Sequence, residues 1–264
     1  MDGGYKPLSM MNWFEKRINS GPQDWKRYII SLLVFNTTLF IFGYLVLALQ
    51  PFMPLNPDGK TLLSPTTIFN SVASFMTNTD LQHYSGDQHL SNFSQIFFAM
   101  TNLFVSAAIG LSVLTAIIRA LRSDPSCGNF FLDIWRVVVY MFIPAALIFG
   151  FIFLQQGSPM TLKSAYQVST LEPGAMSTQT IVVGPVAAFE AIKMLGTNGG
   201  GFYGMNSAHP FENPTALSNF FNTLESLGRY VPKRYRLYVN LWKRSLLMIP
   251  LFLIEKRLFH AEPP

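Results

Sequence analysis

Long apolar runs alternate along this chain with polar, proline-containing stretches. Tyr28 to Leu49, Phe93 to Leu121 and Phe131 to Leu154 are each apolar over enough residues to cross a bilayer, and each predicts a spanning helix. Asn36, Thr37 and Thr38 interrupt the first run and predict hydrogen bonds to neighbouring helices. Ser106, Ala107, Ala108, Gly110 and Ser112 give the second a surface of small residues suited to close packing. Pro144 predicts a kink in the third. Between these runs, Gln50 to Ser64 reads as a proline-rich loop, His83 to Ser91 as a polar exit and Gln155 to Val183 as a polar loop.

Two shorter runs stand apart. Pro65 to Met76 predicts a short helix, and so does Gly184 to Leu195, which starts at Pro185. Each proline precedes a Thr-Asn pair, Thr77-Asn78 or Thr197-Asn198, by 12 residues. A helix of about 12 residues is roughly 18 Å long, near half of a roughly 30 Å bilayer core. The two Thr-Asn pairs lie 120 residues apart, which predicts an internal repeat. The second pair leads into Gly199-Gly200-Gly201, a backbone free to turn and aim its carbonyls. No Gly-Lys-Ser/Thr follows, so a phosphate-binding loop of the Walker type is excluded. In a membrane protein the pattern predicts a re-entrant helix and an extended filter whose carbonyls replace an ion's hydration shell.

Composition supports the membrane reading. Half of the 264 residues are hydrophobic and only 12% are charged, about half the usual share for a soluble domain. The net charge of +5 is small and unevenly placed, which argues against a nucleic-acid partner. The lone Cys127 cannot form an internal disulfide. His83, Asp87 and His89 match no common metal-ligand spacing and read as a solvated loop. Met1 to Asn12 lacks the apolar stretch of a signal peptide. Lys6, Lys16, Arg17, Lys26 and Arg27 precede the first span, and Arg119, Arg122 and Arg136 flank the loop after the second. That bias places the N-terminus in the cytoplasm and makes both re-entrant segments enter from outside. Asp133 and Arg136 are expected to pair at the interface, and Glu190 with Lys193 on one face of the short helix.

The segments Ser74-Phe75-Met76-Thr77-Asn78-Thr79-Asp80-Leu81-Gln82 through Tyr84-Ser85-Gly86, and Glu190 through Phe202 followed by Asn206 through Thr215, resemble the two first filter segments of the potassium-transporting ATPase potassium-binding subunit family. The resemblance runs from about residue 22 to about residue 224. It implies an all-α integral membrane fold of potassium-channel-like helix–pore helix–helix repeats, with about two of four repeats present. It implies that Thr77, Asn78, Thr79 and Gln82 match one filter strand and Thr197, Asn198, Gly199, Gly200 and Gly201 another. Potassium would be held there mainly by backbone carbonyls, with no side-chain metal cluster and no prosthetic group. The implied setting is a bacterial inner membrane, with a P-type ATP-hydrolysing subunit, two small membrane subunits and membrane lipid as partners. Nothing in the chain resembles an ATP site.

The expected organisation is a cytoplasmic segment 1–27, a first repeat 28–121, a second repeat 122–224 whose last helix is incomplete, and a divergent basic tail 225–264. The family has a further N-terminal membrane helix and two further repeats that these residues do not match. The tail carries Arg229, Lys233, Arg234, Arg236, Lys243 and Arg244, and Ser245 to Ile254 is too short to span. A truncated or frame-shifted chain is the reading that follows, with an interfacial helix as the alternative for the tail. Two other functions compete: a standalone oligomeric cation channel, and a non-conducting fragment that only binds partners. Each half-filter has polar edges that neighbouring repeats must satisfy, so the chain alone is expected to form no stable selective pore.

Overall fold

A computed structural model describes residues 9–171 and 178–228. Helix α1 (Ser9–Ile18) leads into α2 (Trp25–Ala48), whose first turn is capped by Asp24 accepting from the Arg27 N–H. Helix α3 (Pro65–Met76) follows, capped by Ser64 and opened by a proline at its first position. The long helices α4 (Asn92–Leu121) and α5 (Phe130–Gln156) come next. Helix α6 (Val186–Gly196) and helix α7 (Ala216–Gly228) follow. Among the described residues, α2, α4 and α5 are long and apolar enough to cross a membrane. Their outward faces carry Ile30, Leu33, Val34, Leu147, Ile148 and Phe151, apolar side chains that suit hydrocarbon and not water.

Helix α4 is the centre of the bundle: it packs against α2, α3, α5 and α6, and it is the most buried of the three long helices. Ser106, Ala107, Ala108 and Ser112 are buried along it, while Gly110 is exposed. One core gathers Phe75, Phe98, Leu103, Phe189 and Phe202 between α3, α4 and α6. A second gathers Tyr28, Ala107, Ala108 and Phe130 between α2, α4 and α5.

The fold is mostly helical, and the all-α expectation needs one correction. The stretch read as a polar loop contains an antiparallel hairpin, β1 (Ala165–Ser169) paired with β2 (Thr178–Val182). Thr180, Ile181 and Val182 are β-branched, and the backbone groups of the two strands find their partners in this ladder. Pro185 precedes helix α6 and does not open it, with ψ of 49°. Thr38 bonds its own helix at Val34 O and not a neighbour. Near Pro144, α5 widens into a π stretch, Val137–Phe142, and Ile143 N donates to Val138 O five residues back. Pro144 cannot donate to the preceding turn, and the wider turn absorbs that loss.

Asp133 and Arg136 do not pair with each other. Asp133 is buried and receives both Arg119 guanidinium nitrogens, at 2.5 and 2.9 Å, and the Tyr28 hydroxyl at 3.1 Å. Arg136 reaches Glu15 of α1 at 2.7 Å. Arg119 reaches the buried carboxylate from α4 with both guanidinium nitrogens, while the Arg136 guanidinium is drawn to Glu15 of α1. The basic residues of the tail and the Ser245 to Ile254 run lie outside the described residues.

Candidate functional site

Two helix ends converge at one place. Helix α3 stops at Met76, where the Thr77 N–H and hydroxyl both return to Ala73 O. The chain then turns sharply, with Asn78 at φ 61° and Asp80 at φ 54°. Ser74 holds that turn: its carbonyl accepts from Thr79 N and Asp80 N, and its hydroxyl from Leu81 N at 2.8 Å. Helix α6 stops at Gly196, with Thr197 at φ 50° and Asn198 N donating to Lys193 O. Gly200 at φ 73° supplies the second turn, a conformation that glycine adopts without strain.

The two segments touch. The Asn198 side-chain amide donates to Asn78 Oδ1 at 2.7 Å and to Asp80 Oδ2 at 2.8 Å. Ser106 of α4 donates to the same Asn78 oxygen at 3.0 Å. Gln82 Nε2 donates to the Gly201 carbonyl at 3.0 Å. Thr77, Asn78, Thr79 and Gln82 therefore sit beside Thr197, Asn198, Gly199, Gly200 and Gly201. Thr77 and Thr79 are exposed, Gly200 and Gly201 are buried, and the other five are half-buried. Asp80 is almost fully buried, and one of its oxygens is without a hydrogen-bond partner, as is Asn198 Oδ1.

Behind the second segment lies a buried ionic group. Lys193 Nζ is 2.6 Å from Glu190 Oε2 and 3.9 Å from Glu212 Oε1, and it donates to Ser207 Oγ at 2.5 Å. The Glu190–Lys193 pair is thus present on one helix face, and Glu212 joins it from the loop beyond. The motif around Glu212 was legible, but its burial depends on a fold-back of ten residues that no local pattern encodes. His209 stacks on Tyr203 with ring centroids 3.7 Å apart, and its Nδ1 accepts from Phe211 N. Burial lowers the His209 pKa from its ordinary 6.5, against a smaller opposing effect of Asp87. Among the described residues no group of three or more His, Cys, Asp or Glu converges as a metal site.

Three spanning-length helices with apolar residues on their outward faces, packed with two short helices that end in polar loops, define an integral membrane protein. The family profile described as the potassium-transporting ATPase A subunit matches residues 6–229. The chain belongs to that family. It is 41% identical to the potassium-transporting ATPase potassium-binding subunit of Caldanaerobacter subterraneus subsp. tengcongensis, over 95% of this chain and 46% of the relative. It is 47% identical to the subunit of that name from Geobacillus kaustophilus, over 76% of this chain and 35% of the relative. The match to the Edwardsiella ictaluri subunit is 41% over 86% and 42%. The chain thus spans less than half the length of these curated relatives.

Proposed function

We propose that this chain binds potassium as part of the potassium-binding subunit of an ATP-driven, high-affinity potassium import complex. The ion is held by backbone carbonyls of two re-entrant filter loops, Thr77 to Gln82 and Thr197 to Gly201. The observation that carries this reading is the Asn198 amide joined to Asn78 and Asp80, which brings the ends of α3 and α6 to one point. Each helix presents its C-terminal end there, and the negative ends of two helix dipoles favour a cation. The irregular backbone beyond each helix is tied to the other segment through Asn198 and Gln82 and to α4 through Ser106, and such backbone is tolerated at membrane depth where it is buried in protein or lines a cavity.

On this reading α3 and α6 are pore helices of two repeats, residues 28–121 and 122–224, in a potassium-channel-like arrangement. The surrounding setting is a bacterial inner membrane with the N-terminus in the cytoplasm, and the partners are a P-type ATP-hydrolysing subunit and two small membrane subunits. The test is co-purification of this chain with the ATP-hydrolysing subunit, followed by ATP hydrolysis in potassium, sodium and choline chloride at equal ionic strength. Stimulation by potassium alone is the expected result. A complex that assembles and hydrolyses ATP equally in all three salts refutes the potassium reading.

A further inference from the structure

We propose that Glu212 is the positioning residue of the second filter loop. Its carboxylate gathers the backbone N–H groups that follow Gly201 and so sets the direction of the loop's carbonyls. The inference rests on the reading of Thr197 to Gly201 as an ion-binding segment.

The geometry is specific. Glu212 is fully buried. Its Oε1 accepts from Phe202 N at 2.8 Å and from Tyr203 N at 3.4 Å, and its Oε2 accepts from Ser207 N at 3.0 Å. Three backbone donors on one carboxylate are charge-assisted bonds in a buried site, where each is stronger than a neutral pair. The nearby Lys193 ammonium, itself paired with Glu190 and bonded to Ser207, supplies the opposite charge. Gly201 backs onto this carboxylate: a Cβ there would lie 2.8 Å from Glu212 Oε1 and 2.9 Å from Tyr203 O. A glycine at 201 is therefore what lets the carboxylate come this close.

Phe202 is the residue through which the clamp acts. Its N–H is held by Glu212, its carbonyl accepts from Gln95 Nε2 at 3.3 Å, and its ring packs where Gly184 leaves room. A Cβ at Gly86 would overlap the Phe202 carbonyl oxygen. The Gly201 carbonyl itself accepts from Gln82. The peptide plane between Gly201 and Phe202 is thus fixed at both its oxygen and its nitrogen, by side chains from two separate segments. Functional constellations keep their geometry when a supporting shell locks them in this way.

The test is amide hydrogen exchange on the full chain together with an ion-preference measurement on the co-purified complex. In the unaltered chain, the Phe202, Tyr203 and Ser207 amides are expected to exchange far more slowly than those of Gly204 and Met205. Equal rates overturn the proposal without any variant, so a variant that fails to fold does not rescue it. In Glu212→Ala those three amides are expected to speed up about 10- to 100-fold, while amides in α4 stay protected. Glu212→Gln, which keeps one carbonyl acceptor, should restore part of the protection. The ratio of the potassium to the sodium concentration needed for half-stimulation of ATP hydrolysis should rise toward one in Glu212→Ala and drop back toward its original value in Glu212→Gln. A lower yield with that ratio unchanged would mean a merely structural role and would overturn the proposal. If the unaltered complex ignores potassium, the ion-binding reading fails while the amide rates still decide whether the clamp exists.

Discussion

The contact that joins the two loops can be tested by removing Asn198. Its amide makes two short donating bonds, to Asn78 and to Asp80, and a longer one of 3.4 Å to Ser106. The bond to Asn78 is neutral and contributes about 1 kcal/mol. The bond to Asp80 contributes between about 1 kcal/mol for a neutral acceptor and about 3 kcal/mol for an ionised one. Asp80 is only 1% exposed, so solvent screens little of this. After Asn198→Ala the Asp80 Oδ2 loses the amide that it accepts from, in a site where its other oxygen already has no partner. Unfolding of the detergent-solubilised chain should thus lose about 2–4 kcal/mol. A cavity and an unpaired buried group confound that single number, so the decisive measurement is a pair of double-mutant cycles. Asn198→Ala with Asp80→Ala should give a coupling of about 1–3 kcal/mol, and Asn198→Ala with Asn78→Ala about 1 kcal/mol. Independent sites add to within about 0.5 kcal/mol. Couplings inside that limit in both cycles would refute the claim that this amide ties the two helix ends together.

Three further outcomes follow from the same contacts. Arg119→Met leaves Asp133 buried without its bidentate partner and should cost about 3–5 kcal/mol in detergent unfolding, whereas Arg119→Met with Asp133→Leu should recover most of it. A double variant no more stable than the single one would contradict the buried pair. Gly200→Ala should cost about 1 kcal/mol, because φ there is 73° but no atom stands closer than 3.3 Å to the added carbon. Gly201→Ala should cost more, about 1–3 kcal/mol, because its added carbon would meet Glu212 and Tyr203; thermal unfolding of both variants checks the order. The pH dependence of stability should carry a His209 contribution. Its folded pKa lies below its ordinary 6.5, so the neutral ring favours the fold above that value and the contribution is lost as pH falls below it. Melting curves between pH 5 and 8 should show this slope, and His209→Asn should flatten it.

Much of the helical framework was legible because it depends on local composition. The three long helices follow from runs of apolar residues, and their ends moved by only a few residues, to Trp25, Asn92 and Phe130. Proline marked where the short helices begin, although Pro185 turned out to stand one residue outside α6. The hairpin at 165–182 was missed because its strands are short and largely polar, and the β-branched run from Thr180 to Val183 was the one available signal. The partner of Asp133 was missed because helix spacing makes Arg136 a neighbour on the chain, while Arg119 becomes a neighbour only after α4 and α5 pack.

The candidate site divides along the same line. Sequence alone marked the residues proposed for it: two Thr-Asn pairs at matching distances from proline, the second followed by three glycines. These are properties of the chain's order, and they survive in any fold. Tertiary structure decided what those residues do to one another. Asn198 lies 120 residues from Asn78, and Glu212 folds back ten residues to reach Phe202. Hydrogen bonds of this kind depend on angstrom-scale placement by α3, α4 and α6 packed together. Residue type sets which groups can donate or accept. Only the packed bundle brings a donor within 3 Å of an acceptor and excludes the water that would otherwise take its place.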